Sequence, residues 1–175
     1  MKNQNLKAAS KQTNQKMQLV ISWFTVLVWM MVIFYLSSQT AQVSNRLSRG
    51  MTSIIVKILT LFSKISIETS TMQSWFDMMN NTVREYAHGT IFFILVLLVC
   101  NAFSKSGLRG WKLYTFSIAF CAVFSCFDEI HQIFVQGRGA EVEDFLMDCT
   151  GALMGLALYR IITWSLGIRR HKSYI

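Results

Sequence analysis

Apolar positions along this chain fall into four runs, separated by stretches where polar and basic residues dominate. The first, Leu19 to Leu36, is 18 residues without a charge, long enough for most of a hydrocarbon core of ~30 Å. Three later runs, Gly89 to Phe103, Leu113 to Phe127 and Phe145 to Tyr159, hold 15 residues each, or about 22 Å of helix. Each reaches spanning length only by taking in a polar turn: Arg84, Glu85 and His88 before the second, Asp128, Glu129 and His131 after the third, and Asp144 before the fourth. The pattern predicts a single all-α domain over 1–175, an integral membrane four-helix bundle with spans at about 18–37, 83–103, 113–134 and 145–166.

A further helical period lies in the connection from Ser37 to Val83. Leu47, Met51, Ile54, Ile55, Ile58 and Phe62 share one stripe, and Arg46, Arg49, Ser53, Lys57, Thr60 and Lys64 share the opposite one. This predicts an amphipathic helix over about 45–64 that lies on the outer membrane surface. Its basic stripe suits lipid phosphates; the alternative is a solvated face over an apolar packing face. Trp75, Phe76 and Met79 then read as a short interfacial turn, with Asn80, Asn81 and Thr82 as caps for the second span.

Composition agrees with lipid as the solvent: 53% of residues are hydrophobic, 15% are charged and Pro is absent. The net charge of +8, in a chain with no soluble basic module, points to anionic lipid rather than nucleic acid as partner. Eleven Lys and Arg residues flank one set of span ends, from Lys2 to Lys16, Lys105 to Lys112 and Arg160 to Lys172; the other side carries the remaining six and all nine acids. The density of basic residues places both termini on the cytoplasmic side of the cell membrane. The first apolar run is too long for a signal-peptide core and is expected to stay attached as a span. Cys100, Cys121, Cys126 and Cys149 show no CxxC spacing and read as packing residues.

Because successive spans alternate in direction, His88, Asp128, Glu129, His131, Arg138, Asp144 and Asp148 should converge at the outer ends of spans two to four. Arg84 and His88 stand at i and i+4, Asp128 shares a stripe with His131 and Gln132, and Asp144 shares one with Asp148, Gly151 and Gly155. Gly151, Ala152 and Gly155 allow span four a close approach to its neighbours. Arg138, between Gly137 and Gly139 in a tight connection, should hang over the cluster with a guanidinium suited to phosphate or carboxylate. A charge at the centre of a span costs on the order of 2.5–3.5 kcal/mol, so the residues form either a satisfied network that fixes helix packing or a ligand site. Glu129 suits a neighbouring helix or Arg138, and His131 a hydrogen bond beside Gln132. A Mg²⁺ or Ca²⁺ ion bridging a phosphate fits these ligand types better than a dedicated transition-metal centre, since no zinc spacing is present. Ser37, Ser38 and Ser125 lack a strained nucleophile turn.

The segments Phe34-Tyr35-Leu36-Ser37-Ser38-Gln39, Val83-Arg84 with Ala87-His88, Asp128-Glu129-Ile130-His131-Gln132-Ile133-Phe134, Gly137-Arg138, Asp144 and Asp148-Cys149-Thr150-Gly151-Ala152 together resemble the VanZ-like family of bacterial membrane proteins. The resemblance implies a link to tolerance of teicoplanin-type lipoglycopeptides. Ile91 and Phe92 stand where members commonly carry a Glu-Tyr pair, and Glu85, one turn before His88, is the residue here that could replace that carboxylate. Two classes of function follow. In the first, the site binds the phosphate or sugar head group of an envelope lipid, such as a polyprenyl-phosphate-linked cell-wall precursor, through Arg84, Glu129, His131, Gln132, Arg138 and Asp148. In the second, it is a membrane hydrolase or transferase on a phosphorylated polyprenyl lipid, with His88, Asp128 and Asp144 as catalytic groups. The sequence carries no signal for oligomeric state.

Overall fold

The computed structural model describes residues 2–62 and 69–172 and contains five helices: α1 Lys2–Ser37, α2 Ala41–Phe62, α3 Thr69–Lys105, α4 Gly110–Gln132 and α5 Val142–Lys172. Four contain segments long and apolar enough to cross a membrane, Ser10–Ser37, Trp75–Lys105, Gly110–Gln132 and Val142–Ser165. Four is the number predicted, and each segment is longer than its apolar run. An isolated polar turn ends no helix when its backbone bonds stay intact, so α3 runs unbroken from Thr69 through Trp75, Asn80 and Thr82. The expected interfacial turn and its caps at 80–82 are therefore not formed. The Thr82 hydroxyl instead bonds back to the Met78 carbonyl at 3.1 Å inside the helix.

The closest helix pair is α3 with α5. Gly89 and Gly151 meet backbone to backbone, and a Cβ built on Gly151 would collide with the Gly89 carbonyl; one on Gly155 would collide with Val96 and the backbone of Phe93. Small residues at this spacing let two helices approach in lipid, where dispersion between backbones replaces the hydrophobic drive. Beside this contact Val26, Ile33, Phe92, Leu95, Val96, Val99, Cys100, Cys121 and Ala152 form the buried core. The cysteines are all free thiols, Cys100 and Cys121 packed in that core, as expected of small apolar residues. At the end away from the polar cluster, Trp23 stacks edge-on against Phe103 and donates to Ser106 Oγ at 3.0 Å, and Lys105 donates to Gln18 at 3.0 Å.

The amphipathic helix exists as α2, with its apolar residues turned outward: Leu47, Met51, Ile54 and Ile58 are all at least half exposed. Against α3 it places small hydroxyl residues, Ser48 and the fully buried Thr52, whose side chains bond to carbonyls of their own helix. The side chains of Thr60 and Phe62, and Lys64 entirely, lie outside the described residues. The start of α2 rests on the α4–α5 connection, where Ala41 N–H donates to the Gln136 carbonyl at 3.4 Å and Gly137 turns with φ of 77°.

Candidate functional site

The first turns of α5, the last turns of α4, the end of α1 and the middle of α3 bring one set of polar side chains together inside the bundle. Asp128, Asp144 and Asp148 are buried, as are Glu129, Gln132 and His88. Helical spacing aligns them: Ser125, Asp128 and Gln132 form one stripe of α4, Asp144 and Asp148 one stripe of α5, and Arg84 and His88 one stripe of α3.

Two chains of contact run through the cluster. In one, Asp128 Oδ2 accepts from Ser37 Oγ at 2.6 Å and from Gln132 Nε2 at 3.2 Å, while Arg138 Nη1 donates to Gln132 Oε1 at 3.2 Å. Arg138 thus reaches Asp128 through the Gln132 amide. In the other, Ser125 Oγ donates to Asp148 Oδ2 at 2.7 Å, and the His88 ring lies between two carboxylates, Nε2 3.9 Å from Asp144 and Nδ1 3.8 Å from Asp148. Those two separations exceed hydrogen-bond length, and leave the imidazole beside its partners rather than bonded to them.

The network does not close on itself. Arg84 Nε, His88 Nδ1, Asp128 Oδ1, Glu129 Oε1 and Asp148 Oδ1 are buried and accept or donate no hydrogen bond. An unsatisfied buried polar atom costs about 1–3 kcal/mol, more when charged, so a cluster evolved only to glue helices would be expected to pair them. Three of the five are carboxylate oxygens, which call for donors. At the rim, burial lowers the Arg138 guanidinium from its usual pKa and nearby Arg84 adds to this, while Asp144, Asp128 and Glu129 act in the opposite direction. Two guanidinium groups side by side favour an anion between them.

Several expected members sit elsewhere. His131 turns away: its ring stacks on Phe34, centroids 4.1 Å apart, and its Nε2 lies 3.1 Å from Ser38 Oγ. Glu129 stays in the cluster through its unpaired Oε1 and takes the first of its two expected partners, a neighbouring helix rather than Arg138: its Oε2 accepts the Glu141 N–H at 2.9 Å, at the start of α5. A carboxylate there complements the free amides at the start of α5. Glu85 stays exposed and does not replace the missing carboxylate, and Phe92 is a core residue with no exposure. Ser37 and Ser125, considered from sequence only as nucleophiles, prove to be the donors that hold Asp128 and Asp148. Ser125, one turn before Asp128 on the same face of α4, carried an available signal; Ser37, 91 residues from Asp128 in sequence, carried none. Glu141 was also missed; it lies 3.5 Å from Arg84 Nη2. Among the described residues no group of three or more His, Cys, Asp or Glu side chains is arranged to hold a metal ion. A Mg²⁺ or Ca²⁺ ion held mainly by a ligand's phosphate needs only one or two carboxylates, which Asp144, Asp148 and Asp128 could supply.

Four apolar helices around a buried, incompletely paired polar cluster define a multi-pass membrane protein with a site at one end of its bundle. The VanZ/LLP1 family profile matches residues 22–163, most of the chain, and the protein belongs to that family. No curated protein and no solved structure matches it.

Proposed function

We propose that this VanZ/LLP1 family protein binds the head group of a phosphorylated envelope lipid at the outer face of the cell membrane, and that this underlies tolerance to teicoplanin-type glycopeptides. The observation that carries the reading is the set of five buried, unpaired polar atoms gathered in one cluster. Their chemistry supports such a ligand: carboxylate oxygens of Asp128, Glu129 and Asp148 suit hydroxyl or amine donors, as a sugar offers, and Arg138 with Arg84 suits phosphate at the rim. Beneath His88 the interior is closed by Phe92, Leu95, Val96 and Val99, all without exposure, and no Asp, Glu, Lys, Arg or His is buried beyond them among the described residues. A ligand therefore reaches the cluster from the polar end. Polyprenyl phosphate, pyrophosphate and their glycosylated forms fit this chemistry.

The flanking of His88 by two carboxylates favours a second reading, a lipid phosphohydrolase or transferase in which the imidazole takes or gives a proton. Purified protein incubated with polyprenyl phosphate and pyrophosphate separates the two. Saturable binding without turnover, weakened in His88→Ala, is the expected result; phosphate release that His88→Ala abolishes would make the protein an enzyme, and neither binding nor release would sink both readings.

The same proposal fixes the orientation of the chain, with both termini in the cytoplasm and Gly139 outside. In a background lacking the four native cysteines, an impermeant thiol reagent added to intact cells should label Gly139→Cys and spare Ser106→Cys. The opposite pattern would invert the topology and place the site on the inner face.

A further inference from the structure

A second polar site lies beyond the cluster, where α2 packs on the first half of α3. Gln42, Asn45, Arg46 and Arg49 from α2 and Asp77 and Asn80 from α3 line an open groove of about 610 Å³. Its residues continue the functional stripe of α3, since Asp77, Asn80, Arg84 and His88 follow one another at steps of three, four and four. Asp77 of the groove and His88 of the cluster are thus about 16 Å apart along one helix face, and Asn80 and Arg84 about 6 Å, at 1.5 Å per residue.

Three observations give the groove a chemistry. Arg49 is held across it by Asp77, with Nη2 3.2 Å from Oδ1. Arg46, one turn earlier on the same helix, makes no ion pair among the described residues, so the groove carries one uncompensated cation. Asn80 is 6% exposed and its Oδ1 is buried without a hydrogen bond. A buried amide oxygen without a donor is a cost unless something supplies one. The groove therefore combines two guanidinium groups with a buried acceptor.

We propose that the α2–α3 groove is a binding site for a phosphate ester carrying a hydroxyl, with Arg46 and Arg49 on the phosphate and Asn80 Oδ1 accepting from the hydroxyl. An anionic phospholipid with a glycerol head group and a soluble glycerol phosphate both present this chemistry. The site is independent of the ligand in the central cluster, and it gives α2 a head-group preference that a basic amphipathic stripe alone does not.

The test is native mass spectrometry of the full-length protein in detergent, titrated with phosphatidylglycerol, phosphatidic acid, phosphatidylcholine or sn-glycerol 3-phosphate. Wild type should bind phosphatidylglycerol about tenfold more tightly than phosphatidylcholine, the scale of one charge-assisted contact. Arg46→Gln, at an exposed position that the fold does not need, should remove that preference. Asn80→Leu should weaken phosphatidylglycerol while sparing phosphatidic acid, which lacks the hydroxyl; a purely structural role for Asn80 would weaken both alike. Displacement of the lipid by sn-glycerol 3-phosphate at equal concentration would support the same contacts with a soluble ligand. The groove is refuted if Arg46→Gln keeps the wild-type preference, or if His88→Ala alone removes it, which would put the lipid in the central cluster. Loss of cluster binding in His88→Ala with groove binding intact would leave the two sites separately established.

Discussion

Arg138→Lys should accumulate in the membrane at the wild-type level and yet lose most of its capacity to bind ligand or to protect cells from a glycopeptide. The guanidinium stands half-buried in the α4–α5 connection, and among the described residues it makes a single hydrogen bond, to Gln132. That bond uses one nitrogen and leaves the rest of the planar fork for a phosphate. A lysine keeps the charge but offers a point donor that cannot hold Gln132 and a ligand oxygen pair together. Charge-assisted hydrogen bonds are worth roughly 1.5–3 kcal/mol each, so losing one predicts a fall in affinity of about ten- to a hundredfold. Stability should change little, because Gln132 also donates to Asp128 and the carboxylate keeps Ser37. The comparison is membrane abundance by immunoblot against binding of polyprenyl phosphate. Full affinity in Arg138→Lys would remove the two-pronged clamp. Parallel loss of protein and binding across alanine variants of His88, Asp128, Arg138 and Asp144 would mean that the cluster is only helix glue.

The opposite phenotype is expected of Gly151→Ala, where the protein itself should be lost. One methyl group there would overlap the carbonyl of Gly89, a backbone atom that cannot rotate aside. The two helices must separate along their tightest contact, and His88, next to Gly89, and Asp148, one turn before Gly151, would part with them. Overpacking a core costs about 1–3 kcal/mol when side chains can give way; a backbone collision should exceed that range. Gly139→Ala is the matched control, since nothing lies within 4 Å of a Cβ at that position. Membrane abundance and the midpoint of thermal denaturation in detergent should fall sharply for the first and remain unchanged for the second. Wild-type behaviour of Gly151→Ala would mean that α3 and α5 do not meet at these glycines.

Which residues would cross the membrane, and which would carry charge at the ends of the spans, was legible in the sequence. Hydropathy sums over about 20 residues, and the requirement that backbone groups be satisfied within each helix leaves one answer for such a run in lipid. Spacing of three and four likewise put Arg84 with His88 and Asp144 with Asp148, because a helix face is set locally. It could not tell which neighbours meet those faces. His131 and Gln132 are adjacent in sequence, yet Gln132 joins Asp128 and Arg138 while His131 stacks on Phe34, a partner almost a hundred residues away in sequence. The continuity of α3 through Asn80 to Thr82 was misread for a related reason: capping residues stop a helix only where tertiary contacts offer its backbone an alternative. Ser37 and Ser125 became the donors to Asp128 and Asp148 through the approach of α1 to α4 and of α4 to α5. Sequence alone determined the spans, their polar ends and the family motif; tertiary packing decided which polar atoms found partners and which remained unpaired, because hydrogen bonds depend on distances of tenths of an ångström that no periodicity encodes.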